Sequence, residues 1–367
     1  MINIDRYAAL YGDLYIDEAA WLRSVASAVD AYQDLDLGCD YRNERLDEAL
    51  IDSFTMSTHE RVVLFEQLSY GDAGALLFSP GPSLAGVILN EAGSEAQKSF
   101  FYDYVKARRC RTFFAVTEPA KGSDAANLQC RLKNGYLSGK KWLVGNGAAG
   151  EIGVVLFKTN DGPLGTRAAL LPNPLLASDS IERHLLRQFC LTGARLSYLE
   201  FKHLPIADEL ILGQHMKVCE RGLFSMIRTF NKMRPCVVGL GLGYAQAVVD
   251  LLADYASDLD ISASALSALT AKLAYVRELN QRAAHIADWE PDNITYSSLS
   301  KIELDDLVKE LRPFLMERMA VLEDEPFAHV RKFIKDSYAF DFMEGTHIIQ
   351  KHNVHNVLKR SNFAMNW

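Results

Sequence analysis

The chain has 367 residues, with 39 lysines and arginines against 47 aspartates and glutamates, giving a formal net charge of −8. Hydrophobic residues make up 49% of it, which is ordinary for a globular protein and excludes a disordered one. The acidic balance argues against nucleic-acid binding, which needs a broad basic surface. The six cysteines are scattered without a CxxC pair, so we expect neither a disulfide framework nor a zinc knuckle.

The sequence also predicts a cytoplasmic protein. No basic segment followed by an apolar run opens the sequence, so no signal peptide is expected. No uninterrupted apolar stretch reaches the roughly 20 residues that span a bilayer. A reducing cytoplasm fits the unpaired cysteines.

The first part of the chain is predicted to be helical, from Asp17 to about Arg109. Apolar residues recur there at three- and four-residue spacing, as in Arg61–Leu68. The stretch Ser79–Ser83 carries two prolines and interrupts the pattern, because proline cannot continue a helix. Two further helices are predicted at Leu84–Asn90 and Ser94–Lys106.

From Thr112 to about Leu212 short β-rich runs alternate with turn residues. The clearest runs are Thr112–Val116, Gly153–Phe157 and Ala168–Leu171. Asn134-Gly135 predicts a tight hairpin, because both residues tolerate a positive φ. This middle region is therefore expected to be a small β-domain.

Helical patterns return towards the C-terminus. They cover Cys236–Tyr255 with Pro235 in its first turn, Ala263–Trp289, Thr295–Leu322, and Phe327–Lys359 with a break near Glu344-Gly345. Helices, then strands, then helices form an α+β arrangement rather than alternating βαβ units. We predict three domains, at residues 1–110, 111–215 and 216–367.

Four segments carry the functional signal. They read FAVTEPAKGSD at 114–124, LSGKKWLVGN at 137–146, NKMRP at 231–235 and KDSYAFDFMEGT at 335–346. In this order, across most of the chain, they resemble the acyl-CoA dehydrogenase family, whose motifs are T-E-P-x-x-G-S-D, G-x-K-x-W-I-T-N, T-R-P, and R-D followed by E-G-T. Asp336 stands eight positions before Glu344, as in the family.

The resemblance implies an FAD-dependent enzyme that dehydrogenates an acyl thioester. Glu344 would be the catalytic base that removes the α-proton, while flavin N5 accepts the β-hydride. The flavin-contacting residues implied are Val116, Thr117, Gly122, Ser123, Trp142, Val144 and Thr346. The substrate-contacting residues implied are Ser123, Arg234 and Gly345.

Physical chemistry fits these roles. A thioester α-C–H is weakly acidic, so its removal needs a polarised carbonyl and a base whose pKa lies near neutrality. A carboxyl buried beside an apolar ring system has a raised pKa, so we expect this for Glu344. Val144 stands where the family has a threonine near flavin N5, and its hydroxyl is therefore missing here.

Three departures from the family are visible, and the first two concern cofactor clamps that reach between subunits. Ala256–Ile261 stands where the family has R-x-x-F-G, Met319–Phe327 replaces the L-G-G-x-G segment, and Ile348 replaces a polar residue. These losses favour a homodimer over the family's tetramer.

The departures resemble a branch of the family in polyketide and non-ribosomal peptide pathways. That branch oxidises three-carbon units held on an acyl carrier protein towards hydroxymalonyl or aminomalonyl units. An acidic carrier needs basic partners. The candidates are Arg331, Lys332 and Lys335 before the base, and Arg108, Arg109 and Arg111 in the first domain.

Three alternatives stay open: an ordinary acyl-CoA dehydrogenase of fatty or amino acid catabolism, a degenerate member that serves as a scaffold, and a flavin oxidase on the same fold. Gly239–Gly243 follows no predicted strand, so close helix packing is favoured over a dinucleotide loop. His347, His352 and His355 lack further ligands, and no metal site is predicted. Cys110 is interpreted as a structural thiol.

Overall fold

The structure is a computed structural model. It describes residues 2–31, 42–120, 122, 127–318 and 327–364, with side chains as far as residue 359.

Seven helices precede the sheet within the described residues. They are α1 Ile4–Tyr11, α2 Ile16–Ala31, α3 Glu44–Asp52, α4 Thr58–Ser69, α5 Ala73–Phe78, α6 Ser83–Ala92 and α7 Glu95–Arg108. The predicted proline break is confirmed, because α5 ends at Phe78 and α6 begins at Ser83. α7 begins with a capping box in which Ser94 and Gln97 bond each other's backbone.

The middle of the chain forms a sheet that has seven strands among the described residues. They are β1 Thr112–Ala115, β2 Arg131–Lys133, β3 Tyr136–Val144, β4 Ile152–Lys158, β5 Thr166–Leu171, β6 Ile181–Leu185 and β7 Ser197–Pro205, with the short helix α8 at Asn173–Leu176. The strand order is β1-β4-β2-β3-β7-β6, with β5 paired to β4. The predicted hairpin is confirmed: Asn134 and Gly135 have φ of 52° and 80° between β2 and β3.

Helices return after the sheet, and the predicted α+β arrangement is confirmed. The elements are α9 Leu223–Asp254, α10 Ala263–Trp289, α11 Thr295–Met316, α12 Ala328–Asp336, a 3₁₀ segment Ser337–Asp341 and α13 His347–Ala364. The break predicted at Glu344-Gly345 is confirmed between the 3₁₀ segment and α13.

The prediction for the first of these helices was wrong about its start. α9 begins at Leu223, so Pro235 lies inside a 32-residue helix instead of in its first turn. An internal proline removes one backbone hydrogen bond and costs about 3 kcal/mol. Burial offsets this cost, and Asn280 Nδ2 donates to the Pro235 carbonyl at 2.9 Å. α9 is long and apolar enough to cross a membrane, but 89% of its apolar window is buried inside the protein.

Three apolar clusters hold these layers together. The largest joins the N-terminal helices to α9, α10, α11 and α12, and the other two cover the two faces of the sheet. α9 packs so closely on α4 that a Cβ added at Gly243 would lie 1.9 Å from the Glu66 carbonyl oxygen. The helix-packing role predicted for Gly239–Gly243 is thereby confirmed at its last glycine.

Candidate active site

One half of the candidate site lies where β1 ends beside β3. The backbone N–H of Trp142 donates to the Thr117 carbonyl at 2.8 Å, which joins the two predicted flavin-contacting motifs. The Trp142 indole is 36% exposed, and the edge of the Tyr198 ring supports it at a centroid distance of 5.7 Å. An exposed indole fixed on a strand offers a rigid apolar face to a planar ring.

A buried ion pair locks these two motifs together. Lys141 Nζ donates to Glu118 Oε1 and to the Val116 carbonyl, both at 2.9 Å, and both charged side chains are at most 2% exposed. Glu118 also accepts the backbone N–H groups of Gln129 and Cys130. The carboxylate therefore has donors for each oxygen, which a buried charge needs.

A bulge separates Trp142 from Val144. Leu143 has a φ of 55°, and the register of β3 against β7 shifts between Lys141 and Val144. An extra residue in one strand re-aims the side chains that follow it. The Val144 side chain is 2% exposed and packs in the sheet core with Leu199, so it does not lie beside the exposed indole. Contact of Val144 with a cofactor stays a prediction.

The other positions predicted in this half have different surroundings. Val116 is buried, and its carbonyl accepts from Lys141. Gly122 is exposed, and a Cβ added there would meet no atom within 4 Å. Ser123 lies outside the described residues. Contact with a cofactor therefore stays a prediction for these three.

The second half of the candidate site is the turn at Glu344-Gly345. Glu344 has a φ of 55° and Gly345 a φ of 96°, a left-handed conformation that is costly for a glutamate. Gln350 Nε2 holds the turn by donating to the carbonyls of Glu344 at 2.8 Å and Gly345 at 3.3 Å. A Cβ on Gly345 would lie 2.4 Å from that nitrogen, and the φ of 96° strains any other residue, so glycine is favoured there. Thr346 follows directly and precedes the first turn of α13.

The Glu344 carboxyl has the electrostatics of a general base. Its Oε2 is buried and has no hydrogen-bond partner among the described residues. Burial raises the pKa of Glu344 to about 7, against the opposing charges of Arg234 and Lys301. A carboxyl with a pKa near neutrality is suited to accept a proton from carbon.

Arg234 lies behind this turn rather than on the surface. It is 7% exposed, and it donates from Nε to the Glu344 carbonyl at 3.2 Å and from Nη1 to Ser297 Oγ at 2.8 Å. Burial lowers the pKa of Arg234 to about 10, while the Glu344 charge opposes the shift. Arg234 thus holds the backbone of the proposed base, and its predicted contact with substrate stays a prediction.

The start of α9 brings the two halves near each other. The rings of Phe114 on β1 and Phe230 on α9 lie 6.1 Å apart. Arg234 follows Phe230 by four residues, which is slightly more than one helical turn or about 6 Å along the axis. The Thr117 loop, which continues β1, and the Glu344 turn therefore flank the same part of α9.

Most of the basic residues proposed to receive a carrier protein are already paired. Lys332 is the clearest correction: its side chain is 11% exposed and lies among Asp30, Asp72 and Asp336. Its face of α12 points inward, because the neighbouring Phe333 is part of the core. Lys332 is therefore unavailable to a partner.

The remaining basic candidates differ in exposure. Lys335 is 42% exposed and pairs with Asp30, and Arg108 is 58% exposed and pairs with Glu151. Exposed pairs of this kind are weak and can exchange partners. Arg109 pairs with Glu48 at 3.1 Å. Arg111 donates to the Phe78 carbonyl, and Arg331 has interactions of its own.

Sequence reasoning missed the residues that support the site from a distance. Ser297 bonds Arg234, Gln350 bonds the Glu344 and Gly345 carbonyls, and Glu118 bonds Lys141 beside Trp142. Lys301 bonds the Phe340 carbonyl, four residues before Glu344. Lys301 was detectable only as a lysine four residues before Asp305 on an apolar helix face, a spacing that usually marks a surface pair. Glu118 had no local signal of burial.

The described ranges also contain cavities away from the candidate site. Two surface cavities, of about 260 and 530 Å³, are lined by other residues than Glu344 or Trp142. Within those ranges no three His, Cys, Asp or Glu side chains are grouped to hold a metal ion. Burial raises the pKa of Cys110 to about 12, which fits a structural thiol.

The ion pair between Lys141 and Glu118 gives a stability prediction. Lys141→Met leaves a buried carboxylate without its cation, so we expect a loss of about 3–5 kcal/mol in the free energy of unfolding. The neighbouring Lys140 is 55% exposed, and Lys140→Met should cost at most about 1 kcal/mol. Urea unfolding of both variants measures the difference, and equal losses would contradict a structural role for the buried pair.

Comparison with known proteins gives consistent matches, although no protein-family model matches the sequence. A probable medium-chain specific acyl-CoA dehydrogenase, mitochondrial, of Caenorhabditis briggsae is 26% identical over 312 residues, which are 81% of this chain and 75% of the relative. The butyryl-CoA dehydrogenase structure from Megasphaera elsdenii superimposes with a TM-score of 0.75 at 18% identity, over 94% of this chain and 97% of that one. PigA with FAD and proline superimposes with a TM-score of 0.78 at 18% identity, over 95% and 97%. The chain is therefore similar in sequence and in fold to acyl-CoA dehydrogenases.

Proposed function

We propose that the protein catalyses FAD-dependent dehydrogenation of an acyl thioester, with Glu344 as the catalytic base. The observation that carries this proposal is the buried, unpartnered Glu344 Oε2 on a constrained turn, with a carboxyl pKa of about 7. A surface glutamate has neither property. The similarity to acyl-CoA dehydrogenases supports the same reaction class.

The described residues fit FAD. The exposed Trp142 indole packs against Tyr198, the Trp142 backbone N–H bonds the Thr117 carbonyl, and the indole offers a face for the flavin ring. Thr117 and Thr346 add hydroxyls on the two sides of the site. These three residues would hold the cofactor. When bound, FAD supplies the acceptor for the β-hydride.

The protein's own groups perform the proton transfer. Glu344 in its ionised form takes the α-proton of the thioester onto its carboxylate. Arg234 and Gln350 both bond the Glu344 carbonyl, so the backbone that carries the Glu344 side chain is held in place. The unpartnered oxygen is shielded from water, and burial makes the carboxylate a stronger base than an exposed one. Removal of a proton from carbon requires such a base.

We further propose that the acyl group is short and polar and is carried by an acyl carrier protein in secondary-metabolite biosynthesis. The missing cross-subunit clamps and the similarity to a structure solved with FAD and proline support a small substrate. Lys335 and Arg108 are the exposed cations that could receive an acidic carrier. The butyryl-CoA dehydrogenase similarity favours the alternative, an ordinary acyl-CoA substrate.

We also retain two broader proposals. The chain acts as a homodimer, because the sequence lacks the clamps of the family's tetramer. It works in a reducing cytoplasm, a proposal supported by the free state of the five described cysteines: Cys110, Cys130, Cys190, Cys219 and Cys236.

We expect the purified protein to be yellow and to release FAD on denaturation. The physical reason is the exposed, supported indole face beside the Thr117 loop. Absorbance and chromatography of the supernatant measure the flavin. If none is released and added FAD does not bind, a scaffold role replaces the enzymatic one.

We expect Glu344→Gln to fold and bind flavin but to lose turnover by a factor of about 10³ or more, because loss of a general base alone typically costs 10²–10⁴. The matched control is Glu317→Gln, whose side chain is 76% exposed and should leave turnover unchanged. Normal turnover in Glu344→Gln would exclude Glu344 as the base.

The raised pKa of Glu344 also predicts two pH dependences. Since the base must be ionised, kcat/KM should rise with pH through about 7. Since the folded-state pKa is above the ordinary value of 4.5, the neutral carboxyl favours folding, and this contribution is lost as pH rises from about 4.5 to about 7. Glu344→Gln should therefore gain stability relative to wild type over that window. A constant difference across it would contradict the raised pKa.

The carrier proposal predicts a salt-sensitive preference. Flavin reduction by one short acyl group should be faster on a carrier protein than on CoA, and only the carrier reaction should slow with added salt. Lys335→Glu should slow the carrier reaction alone, whereas Lys217→Glu, at a side chain 80% exposed, should not. Equal or faster reduction by long-chain acyl-CoA, without salt sensitivity, would favour fatty-acid oxidation.

A further inference from the structure

Helix α11 carries a buried polar stripe underneath the Glu344 turn. Ser297, Lys301, Asp305 and Arg312 are 1%, 0%, 0% and 8% exposed. At 100° per residue these four positions fall within an arc of about 80° on one face of the helix. Ser297 bonds Arg234, and Arg312 bonds Ser337 at 2.9 Å. The stripe therefore supports the chain on the approach to the proposed base.

Lys301 fixes the segment just before the base. Its Nζ donates to the Phe340 carbonyl at 2.6 Å and to Asp305 Oδ1. Phe340 lies in the 3₁₀ segment, four residues before Glu344. The cation thus binds one flank of the turn and neutralises Asp305 at the same time.

His347 lies on the other flank, three residues after the base. Its Nδ1 is 3.6 Å from the second oxygen of Asp305, Oδ2. Both atoms are buried, and neither has a hydrogen-bond partner in the described part of the chain. Two facing buried polar atoms need only a few tenths of an ångström of approach to form a hydrogen bond.

The energetics argue against a purely stabilising role for this group. Burying an ion pair removes two charges from water, and an apolar pair of the same volume is often equally stable or more so. Here Lys301 instead bonds one flank of a strained turn, and Asp305 faces His347 on the other flank. The placement of the Lys301–Asp305 pair is explained if the pair fixes the position of the Glu344 turn and the charge that faces it.

We propose that Lys301, Asp305 and His347 form a positioning unit that clamps the two flanks of Glu344 and sets the ionisation of its carboxyl. The role in catalysis rests on the proposed function, whereas the clamp and its electrostatics do not. No residue of the unit is required to touch substrate.

The charges around the base define what the unit does. Arg234 on α9 and Lys301 on α11 face Glu344 with positive charge and lower its pKa against burial. Asp305 compensates the charge of Lys301. Removing Lys301 makes the surroundings of the base more negative, and removing Asp305 makes them more positive. Two further contacts lie near the turn: Arg312 pairs with Asp341, and His347 also lies 3.8 Å from Asp306 Oδ1.

The first test titrates the Glu344 carboxyl directly by infrared difference spectroscopy, with Glu344→Gln identifying its band. Lys301→Met should raise the midpoint by on the order of one pH unit, and Asp305→Asn should lower it. The double variant Lys301→Met/Asp305→Asn should shift it less than Lys301→Met, and it leaves no unpaired charge if a single variant fails to fold. Midpoints that stay at the wild-type value, or move in the same direction in both single variants, overturn the electrostatic role.

The second test measures the clamp by hydrogen–deuterium exchange at the amides of residues 344–350. His347→Asn should accelerate exchange there by about tenfold, because the flank loses its anchor to Asp305. His352→Asn is the matched control, at an exposed position on the same helix, and should not. Equal exchange in the two variants overturns the clamp. Neither readout requires flavin or turnover. Shifted Glu344 titrations in a protein without thioester activity would therefore refute the proposed function but support the positioning unit.

Discussion

The fold depends on one buried cation that joins all three parts of the chain. Lys332 on α12 lies among Asp30 of α2, Asp72 at the start of α5, and Asp336. Asp336 in turn accepts the backbone N–H of Leu191, from the loop before β7, at 2.8 Å. A single ammonium therefore ties the N-terminal helices, the sheet and the C-terminal helices into one arrangement. These acidic side chains compensate its charge, and they raise the pKa of Lys332 despite its burial.

This interaction also explains why the last motif contains an acidic residue eight positions before the base. Asp336 is fully buried and accepts from Lys332, Leu191 and the Tyr244 hydroxyl. It cannot contact substrate. Its role is to fix the end of α12, from which the chain continues through the 3₁₀ segment to Glu344. In this chain the motif therefore combines a structural anchor, Asp336, with the proposed base, Glu344.

Sequence reasoning succeeded where local chemistry decides the structure. Asn134-Gly135 forms its hairpin because of backbone preference alone, and the limits predicted for Ala263–Trp289 agree with α10. It failed where distant contacts override local preference. Pro235 is retained inside α9 because the surrounding helices bury that helix. Lys332 was interpreted as a surface cation because its three carboxylate partners are remote in sequence or lie on its inward face. The break at Glu344-Gly345 was visible, but its supports on α11 were not.

The burial of α9 has a consequence for the synthesis of the chain. This 32-residue helix is apolar enough to enter a membrane, and the helices α10 and α11 that cover it are translated after it. A ribosome that has completed α9 therefore holds a long apolar segment, which only α4 and its neighbours from the N-terminal part can shield. Such partly covered segments aggregate readily. The nascent chain needs either rapid docking of the first helices or protection by a chaperone until α11 has emerged, and chains terminated between residues 254 and 316 are poor candidates for recovery in folded form.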